Sequence, residues 1–336
     1  MADETNKKTV LVTGATGLLG RQVIRAFNFY AQDSSEWIVK GTGFSRANTG
    51  DEIIKLDLTD ARQVERVLDE VKPDVIVHCA ANRFPDKVDQ DPEGTKGINV
   101  EASRGLAQRC AELSTLLIYI STDYVFSGKP GEAPYEADVK NTGPTNLYGQ
   151  TKLDGERAVL DEFKGKTGGG FGVVLRVPVL YGSAEQPGES AVNVLMETVR
   201  KAAAAAEGTG GKVKMDHWAL RYPTNTEDVG RVCHDVAVHY LSALADGDAN
   251  YLPKVLQFSS EDRYTKYEIC QVFGEIMGMP QITGIEPNTE GNDPNASVQR
   301  PYDCHLSTRA LKDLGIDVST QDFVGWWRRE IRAFRK

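Results

Sequence analysis

Tyr148 and Lys152 lie four residues apart in the segment Tyr148-Gly149-Gln150-Thr151-Lys152. On a helix this spacing puts both side chains on one face, one turn apart. A lysine ammonium beside a tyrosine ring stabilises the phenolate and can hydrogen-bond a nicotinamide ribose, so the tyrosine can exchange a proton with a substrate carbonyl. The spacing predicts a catalytic pair for hydride transfer, although it also occurs by chance in many helices.

Thr122 follows a β-branched, apolar run and opens the segment Thr122-Asp123-Tyr124-Val125-Phe126. Ligands of parallel α/β sheets bind at the carboxyl ends of the strands. The Thr122 hydroxyl is therefore expected to hold the oxygen of a substrate carbonyl, and the alternative is a hydroxyl that caps a loop. Thr122, Tyr148 and Lys152 together form the predicted catalytic set.

Three glycines mark a turn between a short apolar strand and a helical stretch, in Thr13-Gly14-Ala15-Thr16-Gly17-Leu18-Leu19-Gly20. Gly14 permits a tight turn, and Gly17 lets the backbone approach a pyrophosphate at the positive end of the helix. Gly20 allows the helix and the sheet to pack closely. This context predicts dinucleotide binding, and the alternative is an ordinary glycine-rich turn.

The second predicted strand ends in Gly43-Phe44-Ser45-Arg46, where an NAD site would carry an acid for the ribose 2′-hydroxyl. Ser45 can hydrogen-bond a 2′-phosphate and Arg46 can pair with it through two N–H groups. We therefore expect NADP rather than NAD, although Arg46 can equally be a solvated loop charge.

Two further strand ends are expected to approach the same cofactor. Asp57 and Leu58 follow the third strand and would lie near the adenine, and Cys79-Ala80-Ala81 follows the fourth. The small side chains of this second group suit a close approach of the cofactor, although Cys79 can also be a small core residue.

Short β-branched runs alternate with amphipathic stretches through the first half of the chain, which is typical of βαβ units wound into a parallel sheet. The predicted strands are Thr9–Thr13, Trp37–Gly43, Ile53–Leu56, Val75–Cys79, Leu116–Ser121 and Val173–Leu180. The predicted helices between them are Leu18–Ala31, Ala61–Val71 and Val100–Leu113. The expected fold is a Rossmann-type, doubly wound α/β sheet.

The pattern changes after the sixth predicted strand, which suggests two domains. We expect an NADP-binding Rossmann domain over residues 1–182 and a smaller carboxyl-terminal α+β domain over 183–336 for a substrate or partner, with possible crossing of the chain between them. The second domain is expected to end in an aromatic and basic helix, Phe323 to Lys336.

Composition excludes several classes of protein. The net charge of −9 and the 26% of charged residues argue against nucleic acid or an anionic membrane as the main partner. No signal-peptide pattern and no long apolar run is present, so a cytoplasmic protein is expected. The five scattered cysteines form no Cys-x-x-Cys pair and predict reduced thiols without a metal site.

These motifs together resemble the extended short-chain dehydrogenase/reductase superfamily over almost the whole chain. Residues 121–128 and 146–156 are similar to dTDP-4-dehydrorhamnose reductases, which use NADPH in nucleotide-sugar synthesis, and to the regulatory β subunits of methionine adenosyltransferase. Residues 14–20, 78–83 and 215–224 favour the β-subunit branch, as do Asp228-Val229, Val232-Cys233 and residues 265–268.

The β-subunit resemblance implies NADP binding, association with the catalytic subunit that makes S-adenosylmethionine, and a regulatory role. The implied cofactor contacts are Thr16, Gly17, Leu18, Leu19, Phe44, Ser45, Arg46, Asp57, Leu58, Cys79, Arg83, Tyr148 and Leu180, joined by Lys152.

The alternative implied by the other branch is an NADPH-dependent reductase of a 4-keto nucleotide sugar. Thr122 matches the reductases, whereas the β subunits have serine, so the proton-transfer set is intact. Arg300-Pro301 also lies where the reductases have an Arg-Pro near the sugar nucleotide, or it is a turn with a surface arginine. The sequence leaves open whether the chain is an enzyme.

Overall fold

A computed structural model describes residues 7–34, 37–47, 53–139, 142–165, 170–205, 212–248, 251–279, 282, 284–293, 295 and 298–333. Its strands are β1 (Lys8–Thr13), β2 (Trp37–Gly43), β3 (Ile53–Lys55), β4 (Val75–His78), β5 (Leu116–Thr122), β6 (Phe171–Val177), β7 (Leu180–Tyr181), β8 (Val213–Asp216), β9 (Thr224–Asn225), β10 (Val255–Gln257) and β11 (Ile285–Asn288).

Helices connect most of these strands. They are α1 (Leu18–Ser34), α2 (Ala61–Val71), α3 (Pro85–Gln90), α4 (Pro92–Lys96), α5 (Ser103–Leu113), α6 (Leu147–Glu162), α7 (Val194–Ala205), α8 (Thr226–Ala245), α9 (Lys266–Ile276), α10 (Arg309–Asp313) and α11 (Phe323–Glu330). In the described segments, no helix has both the length and the apolar character needed to cross a membrane.

Seven parallel strands form the central sheet in the order β10-β6-β5-β4-β1-β2-β3. The order reverses between β1 and β4, and the crevice at such a switch point is where doubly wound sheets bind ligands. The predicted Rossmann-type α/β fold is therefore confirmed. Two smaller sheets, β11-β8 and β7-β9, belong to the second half of the chain.

Alternating side chains of the central strands enter two different cores, one on each face of the sheet. On β1, Val10 and Val12 pack with α1 and α8, whereas Leu11 packs with α2 and α5 on the other face. Burial on both faces explains why these strands read as continuous apolar runs. A third core joins α7, α9 and α11, where Trp326 and Trp327 are almost fully buried.

The chain returns to the central sheet after entering its second half. Helix α8 packs along α1, and β10 pairs with β6 through Val255 and Val174. Residues of the second half therefore contribute to the first core, while the division at residue 182 stays a prediction.

Three predicted elements differ in detail from the structure. The sixth strand is broken, because β6 ends at Val177 and Pro178, which has no N–H for a ladder, precedes the separate strand β7. The helix predicted from Val100 begins as a π-helical turn, Gly97–Ala102, and continues as α5. The last helix ends at Glu330, and residues 334–336 lie outside the described part of the chain.

Candidate functional site

A cavity of about 270 Å³ opens beyond the carboxyl ends of β4, β5 and β6. Its wall brings together many residues that the sequence nominated. These are Leu18, Leu19, Cys79, Ala81, Arg83, Thr122, Tyr148, Lys152 and Leu180. The predicted catalytic set thus faces the same space as part of the predicted cofactor site.

The glycine turn joins β1 to α1 in a conformation that side chains would block. Gly14 has φ +66°, and a Cβ there would lie 2.9 Å from the backbone nitrogen of Ala80. A Cβ on Gly20 would collide with the carbonyl oxygen of Gly14. The Gly17 N–H donates to that same oxygen at 2.9 Å, which tightens the turn. The amino terminus of α1 is consequently held close to the end of β4, as a bound pyrophosphate requires.

Helix α6 carries Tyr148 and Lys152 into the cavity. It begins at the N-cap Asn146, whose side chain accepts a hydrogen bond from the Gly149 N–H at 2.9 Å. A Cβ on Gly149 would collide with the carbonyl oxygen of Tyr124. The glycine therefore lets α6 approach the loop after β5, which brings Tyr148 next to Thr122.

Tyr148 is a buried phenol with a hydroxyl neighbour. Burial raises its pKa, while a hydrogen bond with Thr122 and the charge of Arg83 lower it and Asp123 raises it. The Thr122 hydroxyl also donates to an Asp123 carboxylate oxygen at 3.0 Å and accepts from the Tyr124 N–H. Thr122 is thus a loop cap and a neighbour of the tyrosine, while its predicted contact with a substrate carbonyl oxygen stays a prediction.

Lys152 points into the same region from one turn further along α6. Its ammonium lies 4.0 Å from the centre of the Tyr119 ring. Burial lowers its pKa to about 7, against the opposing charge of Glu156. The groups that act most strongly on Tyr148 are Thr122, Asp123 and Arg83, so stabilisation of a Tyr148 phenolate by Lys152 stays a prediction.

A buried ion pair between Glu156 and Arg176 lies one helical turn beyond Lys152. Arg176 on β6 donates to both carboxylate oxygens of Glu156, at 2.9 and 2.7 Å, and Ser121 donates to one of them at 2.5 Å. The side chains of Arg176 and Glu156 are only 5% and 3% exposed. This network fixes the middle of α6 against β5 and β6.

Three arginines converge on one residue at the end of the cleft where the sequence predicts the cofactor, here called the cofactor end. Arg46 donates to Glu189 at 2.6 Å, and Arg21 donates to it at 2.7 and 3.2 Å. Arg83 donates to the Glu189 carbonyl oxygen at 2.7 Å. Burial would raise the pKa of Glu189, but the hydrogen bonds from Arg21 and Arg46 outweigh it and lower the pKa to about 2.

The remaining predicted cofactor residues lie at neighbouring strand ends. Phe44 is 61% exposed and Ser45 is exposed beside it, at the end of β2. Asp57 accepts hydrogen bonds from the Thr59 N–H and hydroxyl, and Leu58 packs against the second core. The Thr16 carbonyl oxygen accepts from Arg21 at 2.7 Å.

The far end of the cleft is lined by cations from the second half of the chain. Arg221 is 6% exposed, and its Nη2 has no hydrogen-bond partner among the described residues. Lys266 begins α9, and burial together with the charges of Arg221 and Arg300 lowers its pKa to about 8. Arg300 Nη2 lies 3.3 Å from Oδ1 of the exposed Asp86.

Asp123 is the buried acid between this end and the catalytic set. Burial raises its pKa to about 7, although the Thr122 hydrogen bond and the charge of Arg221 favour its ionised form.

In the segments that the structure describes, no cluster of His, Cys, Asp and Glu side chains is arranged to hold a metal ion.

The sequence profile of the family described as RmlD substrate binding domain matches residues 8–334. The chain belongs to this RmlD substrate binding domain family. It is 37% identical to Methionine adenosyltransferase 2 subunit beta of Bos taurus, over 95% of the chain and 86% of that protein. It is 38% identical to the protein of that name from Danio rerio, over 98% of the chain and 92% of that protein.

The RmlD-type fold also matches a solved structure. The crystal structure of dTDP-4-dehydrorhamnose reductase from Bacillus anthracis in complex with NADP aligns with a TM-score of 0.73 and 21% identity. The alignment covers 98% of this chain and 100% of that protein. The resemblance to the β subunits and to the reductase branch of the superfamily is therefore confirmed, and at this identity the solved structure shows the fold alone.

Sequence reasoning missed several residues of this RmlD-type site. Arg21 directly follows Gly20, so its place at the glycine turn was readable from the motif. Asp123 lies next to Thr122 and was equally within reach. Glu189, Arg221 and Lys266 come from the second half of the chain, and no local pattern links them to the cleft.

Proposed function

We propose that this chain is an NADP-binding regulatory subunit of methionine adenosyltransferase, which modulates S-adenosylmethionine synthesis. The observation that carries the proposal is the similarity to proteins named Methionine adenosyltransferase 2 subunit beta, which extends over nearly the whole chain and over 86–92% of those proteins. Full-length similarity favours a shared function over a shared cofactor domain alone.

The cleft has the chemistry that a phosphorylated dinucleotide needs. Arg21 and Arg46 share the Glu189 carboxylate and Arg83 donates to the carbonyl oxygen of the same residue, so this end of the cleft is suited to an anion. The amino terminus of α1 would hold the pyrophosphate, and Ser45 with Arg46 would contact the 2′-phosphate. The described end of β2 carries no acid for a ribose 2′-hydroxyl, which supports NADP over NAD.

The proposed partner is the catalytic subunit of methionine adenosyltransferase. Trp326 and Trp327 are buried among α7, α9 and α11, so the partner would dock on other surfaces. Five free thiols support a reducing, cytoplasmic location for such a complex.

Sedimentation velocity tests this proposal. The purified chain is mixed with the catalytic subunit of the same organism, with and without NADP. We expect a joint boundary that sediments faster than either protein, and a dependence on NADP would link the cofactor to assembly. Independent sedimentation at micromolar concentrations would contradict the proposal.

A second candidate function is an NADPH-dependent reductase of a 4-keto nucleotide sugar. It is favoured by Thr122 and Tyr148 in contact at the cavity. It is also favoured by the buried Arg221, whose Nη2 lies 3.7 Å from Asp216 without a hydrogen-bond partner among the described residues and is suited to an anionic group of such a substrate. Thr122 would hold the carbonyl oxygen and Tyr148 would give it a proton. The reduced cofactor supplies a hydride when bound.

NADPH oxidation in the presence of 4-keto nucleotide sugars tests this alternative. Turnover that falls at least about 100-fold in Tyr148→Phe would establish the reductase. Absence of turnover in a chain that binds NADPH would leave the regulatory function as the sole proposal.

A further inference from the structure

The segment between β7 and α7 crosses the cofactor end of the cleft. We define residues 183–190 as the acidic strap, because it carries Glu185 and Glu189. A 3-10 turn, Pro187–Glu189, forms its second half. Ser190 ties that end down, since its hydroxyl donates to the Leu180 carbonyl oxygen at 2.7 Å.

Glu189 is the centre of the strap's contacts. Its side chain is only 10% exposed, and one oxygen accepts from Arg46 at 2.6 Å while the other accepts from Arg21 at 2.7 Å. Glu185 contacts Arg46 more loosely, at 3.2 Å, and its side chain is 59% exposed. The strap therefore neutralises the arginines that face the proposed cofactor.

A carboxylate and a phosphate compete for the same guanidinium N–H groups. Arg46 follows β2 and is the residue proposed for the 2′-phosphate, which NADP carries and NAD does not. We propose that Glu189 sets the cofactor specificity of the chain by occupying Arg46, so that the 2′-phosphate must displace this carboxylate before it can bind.

This inference rests on the proposed NADP site and makes it more specific. NAD has no group that competes for Arg46, so NAD binds without releasing the strap. The preference for NADP over NAD is thus smaller than it would be if Arg46 had no contact with Glu189. Because Glu189 stays ionised down to acidic pH, the release depends on the phosphate and not on protonation.

Isothermal titration of the full chain with NADP and with NAD tests the inference. Glu189→Gln is expected to bind NADP about tenfold more tightly than the unchanged chain, which corresponds to one charge-assisted hydrogen bond released. NAD affinity is expected to change less than about twofold, because NAD leaves Arg46 unused. Glu185→Gln is expected to give a smaller gain for NADP than Glu189→Gln.

Glu112→Gln is the matched control. Glu112 also pairs with an arginine, Arg109, but it lies near the end of α5, which precedes β5 and so lies at the opposite edge of the sheet. Its nucleotide affinities should not change. In an Arg46→Met background the NADP gain of Glu189→Gln should largely disappear. Glu189→Asp, which keeps the charge but shortens its reach, gives a second variant with an expected gain in NADP affinity.

The outcomes separate the inference from the proposed function. If the unchanged chain binds NADP and Glu189→Gln binds it equally or more weakly, Glu189 instead positions Arg46 and the inference fails alone. Equal gains for NADP and NAD would also overturn it, because they would show general opening of the cleft. If neither the unchanged chain nor the variant binds NADP, both proposals fail.

Discussion

The two ends of the cleft treat positive charge differently. At the cofactor end, Arg21 and Arg46 share the carboxylate of Glu189. At the far end, Arg221 Nη2 lies 3.7 Å from Asp216 and has no hydrogen-bond partner among the described residues. The pKa of Lys266 there is depressed by burial and by the charges of Arg221 and Arg300. The arginines of the first end have short ion pairs with an acid, whereas Arg221 and Arg300 at the other end have only longer contacts with acids.

This difference teaches how each end should respond to a ligand. An anion at the cofactor end must replace a carboxylate, so its net gain in affinity is reduced by the lost ion pairs. An anion at the far end would pair with cations that repel one another, so it gains from relief of that repulsion. Positively charged residues at both ends are therefore expected to give a smaller net affinity for an anion at the cofactor end than at the far end.

The buried ion pair of Glu156 and Arg176 is the case in which both charges are fully paired within the protein. Glu156→Ala would leave Arg176 buried without its partner and is expected to lower the free energy of unfolding by about 3–5 kcal/mol. Urea unfolding measures the loss. Asp154→Ala, which removes a partly exposed acid from the same helix, should cost less than about 1 kcal/mol. A loss below about 1 kcal/mol for Glu156→Ala would contradict the account.

Asp123→Asn tests the cost of the buried acid beside the far end. The folded chain holds the Asp123 pKa at about 7, above its ordinary 3.8, so stability should fall as pH rises between these values and then level off. The variant should be more stable at pH 8 by at most about 4 kcal/mol, with no gain below pH 3.8.

Thermal unfolding between pH 4 and pH 8 checks the Asp123 expectation. Asp86→Asn serves as its control, because Asp86 is an exposed acid at the same end of the cleft. A gain in stability for Asp123→Asn that does not depend on pH would refute the assigned cause.

Glu189→Gln tests the neutralised end in the free protein. The arginines hold the Glu189 pKa near 2, below its ordinary 4.5, so its contribution is present above pH 4.5 and is lost as the pH falls through 2. The variant should be less stable by about 1 kcal/mol at pH 7. The deficit should shrink below pH 4.5. Denaturant unfolding in the absence of nucleotide measures it, and equal stability at pH 7 would contradict the pairing.

Arg221→Met should produce the smallest effect, on the titration of Lys266. Removal of the neighbouring charge should raise the Lys266 pKa from about 8 toward its ordinary value, because burial and Arg300 would then act without Arg221. NMR titration of the labelled lysine measures the change. Arg309→Met, which removes an exposed arginine paired with Glu136, should leave it unchanged. An unchanged Lys266 pKa in Arg221→Met would show that the charges of Arg221 and Lys266 are not coupled.

Local patterns predicted the parts of the site that depend on spacing along one element. The turn from Gly14 to Gly20 and the pair on α6 are of this kind, because each is positioned by its own strand or helix. The break at Pro178 was also visible in principle, since proline cannot extend a ladder. Overlooking it merged β6 and β7 into one predicted strand.

The pairing of Arg46 with Glu189 joins residues 143 positions apart and depends on how the second half of the chain folds over the first. No periodicity encodes such a contact. Similarly, the depressed pKa of Lys152 follows from burial beside the Tyr119 ring, against the opposing charge of Glu156, and only the packing of α6 reveals this burial. The sequence predicted many of the residues that line the cleft, whereas the charge balance of the cleft required the structure.

The rate of S-adenosylmethionine synthesis tests the central claim most directly. The catalytic subunit of the same organism is titrated with this chain, with and without NADP, and initial rates are measured over a range of methionine concentrations. We expect kcat or KM to change and to level off at a fixed ratio of the two proteins. Rates that stay the same at every ratio, with and without NADP, would contradict the regulatory function.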